Sequence, residues 1–242
     1  MSDQEPPTKT SQFEPGSFET GSFKTVRFEP GLGALRQFIR PRKRNSEICE
    51  LCSAEVGSEH PHLIEPGTRK LLCACNACAI LFGGMGTKYK RVPRRATALL
   101  DFRLDDAQWE SLMIPIGLAF FFRSTPDNRM LAFYPSPAGA TDSLLPLETW
   151  KEIEEANPIL HAMEADVEAL LVNRIGHVRG FSAAEYFIVP IDDCYKLVGL
   201  IRTHWRGLSG GGELWQEIGQ FFAALKQRAV VATKEAKKEP NA

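Results

Sequence analysis

Two short cysteine pairs, Cys49-Glu-Leu-Cys52 and Cys75-Asn-Ala-Cys78, decide the fold of the first part of this chain. A Cys-x-x-Cys pair supplies two soft metal ligands from one tight turn. Twenty-two residues separate the pairs, enough for a hairpin, and the apolar run after Cys78 can continue as a helix. A knuckle, a hairpin and a second knuckle at a helix start form the treble-clef arrangement. We therefore predict a treble-clef module in which Cys49, Cys52, Cys75 and Cys78 bind one metal ion.

The residues that follow each pair bear on the identity of the metal. Four-thiolate zinc sites have no open position and usually contribute folding energy, so we expect structural zinc. Four thiolates also suit iron, which makes a rubredoxin-like electron-transfer protein the alternative. Rubredoxin-like sites usually have glycine after the cysteine pair. Here Ser53 and Ala79 stand at those positions, which favours zinc.

Three other possible ligands lie between or beside the pairs. Cys73 is a fifth thiol, but a single residue separates it from Cys75, so we expect it outside the first coordination shell. In a strand these two side chains would share a face, so Cys73 is the natural substitute ligand. His60 and His62 are either alternative ligands in a mixed Cys/His shell or ordinary polar residues of the hairpin loop.

Composition excludes several classes of protein. The 242 residues are 43% hydrophobic and 24% charged, with a net charge of −1, which is typical of a globular protein without an overall field for nucleic acid. No apolar run is long enough for a membrane span, and the N-terminus lacks the pattern of a secretory signal. Clustered cysteines in a chain without an export signal indicate reduced thiols. We therefore expect a cytoplasmic protein.

Shifts in composition divide the chain into four parts. Residues 1–34 are rich in Gly, Pro, Ser, Thr and Glu and are predicted to be disordered. Residues 35–96 hold the metal module with basic flanks, residues 97–230 form an α+β domain, and residues 231–242 are a charged, disordered tail. The first part repeats a phenylalanine every five residues, at Phe13, Phe18, Phe23 and Phe28. That period fits neither helix nor strand, so the aromatics are either weak anchors for a partner or part of a solvated tail.

The fold class predicted for the whole chain is α+β, with a β-hairpin and several amphipathic helices in the second domain. Turn residues 125–128 lie between two apolar runs and predict the hairpin. Apolar residues at helical spacing predict helices, including one over 164–175. The predicted helices are 105–112, 147–156, 164–175, a segment from about 194 to 205, and 214–225; the predicted strands are 118–123, 130–134 and 186–189, with a loop over 135–141 and another short strand from 144.

No catalytic group is predicted. Cys194 follows Asp192 and Asp193, and two carboxylates disfavour a thiolate. No histidine lies near it in the sequence. We therefore predict that Cys194 faces the core. The sequence leaves enzyme activity open and favours a protein without it.

Six stretches of the sequence are distinctive: residues 49–52, 59–63, 72–78, 100–106, 134–141 and 189–195. Together they resemble an uncharacterised bacterial family often encoded beside aerobic uptake nickel–iron hydrogenase genes. The resemblance covers about residues 49–225. It implies a role in assembling, maturing or delivering electrons to a hydrogenase, with a hydrogenase subunit or maturation factor as partner.

The metal module is also similar to the zinc-stabilised core of HNH nucleases, which carry cysteine pairs around a histidine segment. His60 and His62 would be the candidate catalytic histidines. That chemistry needs a further His or Asn to hold a catalytic metal, and the helix after Cys78 supplies neither. An HNH-like nuclease or nucleic-acid-binding protein is therefore only an alternative, and we do not expect nucleic acid as a partner.

Overall fold

The computed structural model describes residues 47–84, 86–144, 146–178, 183–207 and 210–232. These residues belong to one compact unit that begins at Arg44. The predicted phenylalanine-repeat tail of residues 1–34 and the basic residues up to 44 lie outside the described residues, as do residues 233–242 of the predicted C-terminal tail.

The first part of the described chain has the order of elements that the cysteine pairs predict. A two-stranded ribbon flanks the first pair, a hairpin follows, and a helix starts at the second pair. The hairpin gains a third strand on its other side, which gives the order β4-β3-β5. The elements are β1 (Glu47–Ile48), β2 (Glu55–Val56), β3 (His62–Glu65), β4 (Lys70–Cys73), α1 (Asn76–Phe82) and β5 (Lys90–Arg91).

The second part is built around a sheet that has seven strands in the described residues. Their order is β12-β6-β11-β10-β7-β8-β9, and every neighbouring pair is antiparallel except β12 with β6. The strands are β6 (Thr97–Ala98), β7 (Leu118–Ser124), β8 (Arg129–Ser136), β9 (Gly139–Ser143), β10 (Glu168–Asn173), β11 (Glu185–Pro190) and β12 (Val230–Val231). The helices are α2 (Asp106–Ser111), α3 (Leu147–Ala156), α4 (Ile175–Val178), α5 (Ile191–His204) and α6 (Gly212–Arg228), and a 3-10 turn spans Pro158–Ala162.

Both faces of this sheet are covered, and β7 shows how the sequence achieves this. Phe120 and Phe122 point to the face packed against α5 and α6, whereas Ala119 and Phe121 point to the face packed against α2 and α3. Because successive side chains of a strand alternate between faces, a strand covered on both sides must be apolar throughout. Residues 118–122 are all buried accordingly.

The predicted helix over 164–175 is wrong. Residues 168–173 form β10, a central strand whose residues Glu168 to Val172 are buried. The apolar residues at 167, 170, 171 and 175 match a helical period, but the run from Ala169 to Val172 is continuous. A continuous apolar run of this length is also what a strand buried on both faces requires, and periodicity alone does not separate the two.

The predicted loop over 135–141 is also wrong. β8 continues to Ser136, and after a tight turn Gly139–Ser143 return as the edge strand β9. Gly139 has φ +128°, a backbone conformation that L side chains rarely adopt. The two prolines at 135 and 137 hid this hairpin in the sequence, since proline is accepted at a sheet edge but argues against a central strand.

The short strand predicted from residue 144 is wrong too, since β9 ends at Ser143 and Leu144 lies outside it. The other predicted helices and strands are confirmed, and the α+β fold class with them. Asp105 caps α2 through a 2.7 Å bond from the Gln108 N–H, and the Gln108 side chain returns to the Asp105 N–H. The predicted hairpin is the β7–β8 pair, and α3 has the predicted bounds of 147–156. None of the helices in the described ranges is long and apolar enough to cross a membrane.

Candidate metal centre

The first cysteine pair lies in a tight turn held by its own backbone. The N–H of Cys49 donates to the Ala54 carbonyl at 2.8 Å, and the N–H of Ser53 donates to the Cys49 carbonyl at 2.8 Å. Ser53 adopts φ +61°, which closes the turn. The ribbon formed by β1 and β2 clamps both ends of this loop. This knuckle points the thiols of Cys49 and Cys52 to the same side.

The second pair lies where β4 gives way to α1. Cys75 is the N-cap of the helix, with φ −74° and ψ 162°, and its sulfur accepts the N–H of Cys78 at 3.4 Å. Its carbonyl accepts the N–H of Ala79 at 2.9 Å, which begins the helical bonding. The helix start therefore fixes the spacing between Cys75 and Cys78.

The four thiols converge. Each sulfur of Cys49, Cys52, Cys75 and Cys78 lies within 4.8 Å of the others, and the Cys52 and Cys75 sulfurs are 3.7 Å apart. A tetrahedral ion with metal–sulfur bonds of about 2.3 Å requires sulfurs about 3.8 Å apart. The cluster can therefore hold a metal ion with little movement. Leu63, Leu72 and Ala74 pack around it as a small separate core.

The close approach of the four thiols shifts their pKa values in opposite directions. Burial raises the pKa of Cys49, but backbone N–H groups of Cys75, Cys52 and Leu51 stabilise its thiolate and bring the pKa down to about 6. Burial and the neighbouring thiols raise the pKa of Cys78 to about 12. One thiolate thus forms readily and suppresses the next, the situation that a bound cation relieves.

Cys73 is not among the four thiols of this cluster. It ends β4, and its backbone N–H donates to the Glu50 carboxylate at 2.8 Å. Its thiol groups with His60 and His62 instead, and the three ligand atoms also lie within 4.8 Å of one another. Burial, with Glu47 and Glu50 nearby, raises the pKa of the Cys73 thiol. The two histidines are thus neither in the four-cysteine cluster nor isolated loop residues.

The sequence does not predict one residue of this region, Asp192. Asp192, in the first turn of α5, places its Oδ2 atom 2.6 Å from Nδ1 of His62. The two residues are 130 positions apart, and no local signal links them. The neighbouring Cys194 is fully buried, as predicted; burial, with Asp193 and Asp192, raises its pKa well above the ordinary value and leaves it unreactive.

A family model matches residues 48–229, three quarters of the chain, and is described as a family of unknown function, DUF5947. The chain belongs to this family. The match begins at the residue before the first cysteine and ends one residue after α6, so it covers the four-cysteine cluster and every strand of the large sheet except β12. No curated protein and no solved structure matches the chain. The prediction that the chain belongs to an uncharacterised family is therefore confirmed.

Proposed function

We propose that this protein is a zinc-stabilised accessory protein that acts by binding another protein, a subunit or maturation factor of a nickel–iron hydrogenase. The observation that carries the proposal is an apolar surface on α1, directly after the second knuckle. Ile80 is 71% exposed, Leu81 69% and Phe82 43%. Three consecutive exposed apolar residues on a helix that the metal site holds in place are typical of a protein-binding surface.

The metal site supports a structural role. Four cysteines that close a tetrahedron leave no position for a substrate, so the ion fixes the module instead of reacting. In this proposal Cys49, Cys52, Cys75 and Cys78 are the ligands and zinc is the metal. The ion would orient α1 through Cys75 and Cys78, and with it the apolar surface.

The choice of partner rests on the resemblance of the six sequence stretches to a family encoded beside hydrogenase genes. The protein would then work in the cytoplasm, where its thiols stay reduced. The phenylalanine repeat of residues 1–34 is proposed as an auxiliary contact, because spaced aromatics on a tethered segment add avidity to a main binding site.

Co-purification with a tagged hydrogenase from the native host tests the proposal. The wild-type chain is expected to retain hydrogenase subunits or maturation factors identified by mass spectrometry. Leu81→Glu is expected to lose them while keeping its metal and its Tm. Leu144→Glu is the matched control, since Leu144 is 92% exposed on a different part of the surface. Deletion of residues 1–34 is expected to weaken retention without changing metal content.

Two results would overturn the proposal. If the wild-type chain retains no hydrogenase component, or if Leu81→Glu binds as well as Leu144→Glu, the apolar surface is not the binding site for this partner. A red or brown protein that contains iron would favour electron transfer instead. Cleavage of DNA that His60→Ala abolishes would favour a nuclease.

A further inference from the structure

A second group of metal-ligating side chains lies on the hairpin beside the four-cysteine cluster. His62 in β3 and Cys73 in β4 are register partners, so their side chains stand on the same face of the hairpin. His60 lies two residues before His62, and its ring lies 4.8 Å from the ring of His62 in an edge-to-face arrangement. The ligand atoms of His60, His62 and Cys73 lie within 4.8 Å of one another.

Hydrogen bonds fix which nitrogen each imidazole offers. Nδ1 of His60 lies 2.8 Å from the Gly57 carbonyl, which can only accept, so Nδ1 carries the proton. Nδ1 of His62 likewise donates to the Asp192 carboxylate at 2.6 Å. When either ring is neutral, its lone pair is therefore on Nε2. A histidine that ligates a metal usually donates its other N–H to a carboxylate or a backbone carbonyl, and both of these arrangements are present here.

Two buried polar atoms in this region have no hydrogen-bond partner among the residues that the structure describes. The side chain of His60 is only 5% exposed, and within the part of the chain that the structure describes no hydrogen-bonding group reaches its Nε2 atom. The Oδ1 atom of Asp192 is also buried, and none of the described residues gives it a hydrogen bond. A buried acceptor without a partner is destabilising, so natural proteins rarely leave one without a ligand.

The local charge favours a cation. The Glu47 carboxylate lies 3.2 Å from Nδ1 of His60, and Asp192 stands behind His62. Lys196 pairs with both Asp192, at 3.7 Å, and Asp193, and Arg228 pairs with Asp193. The charged residues that line the adjoining cavity are four acids and three bases: Glu47, Glu59, Asp192, Asp193, Arg94, Lys196 and Arg228.

We propose that Nε2 of His60, Nε2 of His62 and Sγ of Cys73 bind a second divalent transition-metal ion, with Asp192 as the positioning residue for His62. Two imidazoles and a thiolate suit a borderline ion such as Zn²⁺ or Co²⁺. Binding requires loss of the Cys73 thiol proton to solvent, and the thiolate then donates its electron pair to the ion.

This second site differs from the four-cysteine cluster in being open. It supplies three protein ligands, and it faces a cavity of about 720 Å³ between the hairpin, α5 and α6. Three protein ligands with a free fourth position is the pattern of zinc sites that bind an exchangeable water or a small ligand. The ion at this site would therefore exchange more readily than the ion held by four thiolates.

Zinc stoichiometry of the full chain tests the second site. After equilibration with excess Zn²⁺ and desalting, the wild-type chain is expected to hold two ions, whereas His60→Ala and Cys73→Ser hold one. His161→Ala, which removes an exposed histidine elsewhere, is expected to hold two. The remaining ion in Cys73→Ser should resist a weak chelator that removes the second ion from the wild type.

Cobalt distinguishes the ligands. Co²⁺ added to protein that carries one Zn²⁺ is expected to give a sulfur-to-cobalt absorption band in the wild type and in His161→Ala, and no such band in Cys73→Ser. Asp192→Asn leaves all three ligands in place and should weaken Co²⁺ binding about 10–100-fold. It also decides the question if a ligand variant fails to fold.

A wild-type chain that binds one zinc ion at saturation would overturn the proposal. Unchanged Co²⁺ affinity and an unchanged band in both Cys73→Ser and His60→Ala would do so as well, since an adventitious surface ion does not depend on these side chains. The proposal is independent of the partner-binding role of α1, because neither measurement involves a partner.

Discussion

Nδ1 of His62 and Oδ2 of Asp192 lie 2.6 Å apart and join the hairpin of β3 and β4 to the first turn of α5. Burial alone would raise the pKa of Asp192, but the His62 bond and the Lys196 charge outweigh it and hold the pKa below the usual value. Asp192 is therefore ionised and accepts a hydrogen bond from the imidazole N–H of His62. On the same side, Ile64 of β3 packs into the core between the sheet and helices α5 and α6. The hairpin thus serves two cores: Leu63 faces the cysteine cluster and Ile64 faces the large sheet.

Removal of the metal by a strong chelator is the first prediction. We expect residues 49–82 to lose protection against hydrogen exchange, because their small core cannot hold without its ion. The seven-stranded sheet should stay folded but with a lower Tm, since Ile64 contributes to its core. Hydrogen exchange followed by mass spectrometry, with and without chelator, measures both effects. The predicted division into domains at 35–96 and 97–230 would be wrong if protection in β7 and β10 disappeared together with that of the module.

The ligand set gives the second prediction. Cys52→Ser and Cys78→Ser should each lose the tightly held ion, since three thiolates leave the tetrahedron open. Cys73→Ser should keep that ion after treatment with a weak chelator, and Cys194→Ser serves as a control for removal of a thiol elsewhere. Elemental analysis of the four variants decides. Loss of the tight ion from Cys73→Ser as complete as from Cys78→Ser would place Cys73 in the first shell.

The four-cysteine cluster was predictable because its information is local. Each pair needs only a tight turn, and the spacing between Cys52 and Cys75 needs only a hairpin. The His62–Asp192 contact was not predictable, because it depends on how α5 docks against the hairpin. The placement of Cys73 beside His60 and His62 likewise follows from the pairing of β3 with β4, a register that the sequence does not state.

In the second domain, too, elements set by local signals are predictable from the sequence, whereas an element set by tertiary packing is not. Helix α2 was found from its capping residue Asp105 and the β7–β8 hairpin from its turn residues, both local signals. Strand β10 has a helical spacing in the sequence, and only the packing of α5 and α6 on one face and of α2 and α3 on the other shows that it is a strand buried on both faces. Burial on two faces is a tertiary property, and it outweighed the helical spacing of the apolar residues.

The third prediction concerns the core between the sheet and α5. Phe120 is 1% exposed, and its ring lies 5.6 Å from that of Phe133 and 6.0 Å from that of Tyr195. Phe120→Ala should reduce the free energy of unfolding by about 3–5 kcal/mol, because the lost apolar contacts leave a cavity. Leu144→Ala, an exposed control, should change it by less than about 0.5 kcal/mol. Urea denaturation measures both, and equal values would mean that Phe120 is not a core residue.

The fourth prediction concerns acid stability. His177 and the buried Arg174 donate to Asp106, and these bonds lower the pKa of its carboxyl group. A lowered pKa in the folded state means that the ionised carboxylate stabilises the fold. This contribution is complete above the ordinary pKa of about 4 and is lost as the pH falls through the lowered value.

The wild-type Tm should therefore fall more steeply below about pH 4 than the Tm of Asp106→Asn, which lacks this carboxyl group. Asp142→Asn removes an exposed carboxyl on β9 and should leave the profile unchanged. Parallel profiles for wild type and Asp106→Asn would show that the contacts with Arg174 and His177 do not stabilise the fold.

The fifth prediction concerns a second link between the hairpin and the large sheet. Nζ of Lys90 in β5 lies 2.6 Å from Oδ2 of Asp166, whose side chain is 3% exposed. The Thr125 N–H donates to the other oxygen of Asp166 at 2.8 Å. Asp166 also adopts φ +71°, a conformation that Asp and Asn tolerate better than Ala.

Asp166→Ala should therefore lower the free energy of unfolding by about 2–4 kcal/mol. It leaves the Thr125 N–H without an acceptor and Lys90 without its carboxylate, and it adds backbone strain. Asp166→Asn should cost less than Asp166→Ala, because the amide keeps an acceptor for Thr125 and suits the positive φ. Lys90→Met should also cost less than Asp166→Ala, because the buried Asp166 carboxylate loses its cation but keeps its bonds from the N–H and the hydroxyl of Thr125. Urea denaturation of the three variants gives the order directly. If Lys90→Met is as destabilising as Asp166→Ala, the ion pair, and not the bonds to Thr125, is what anchors the hairpin.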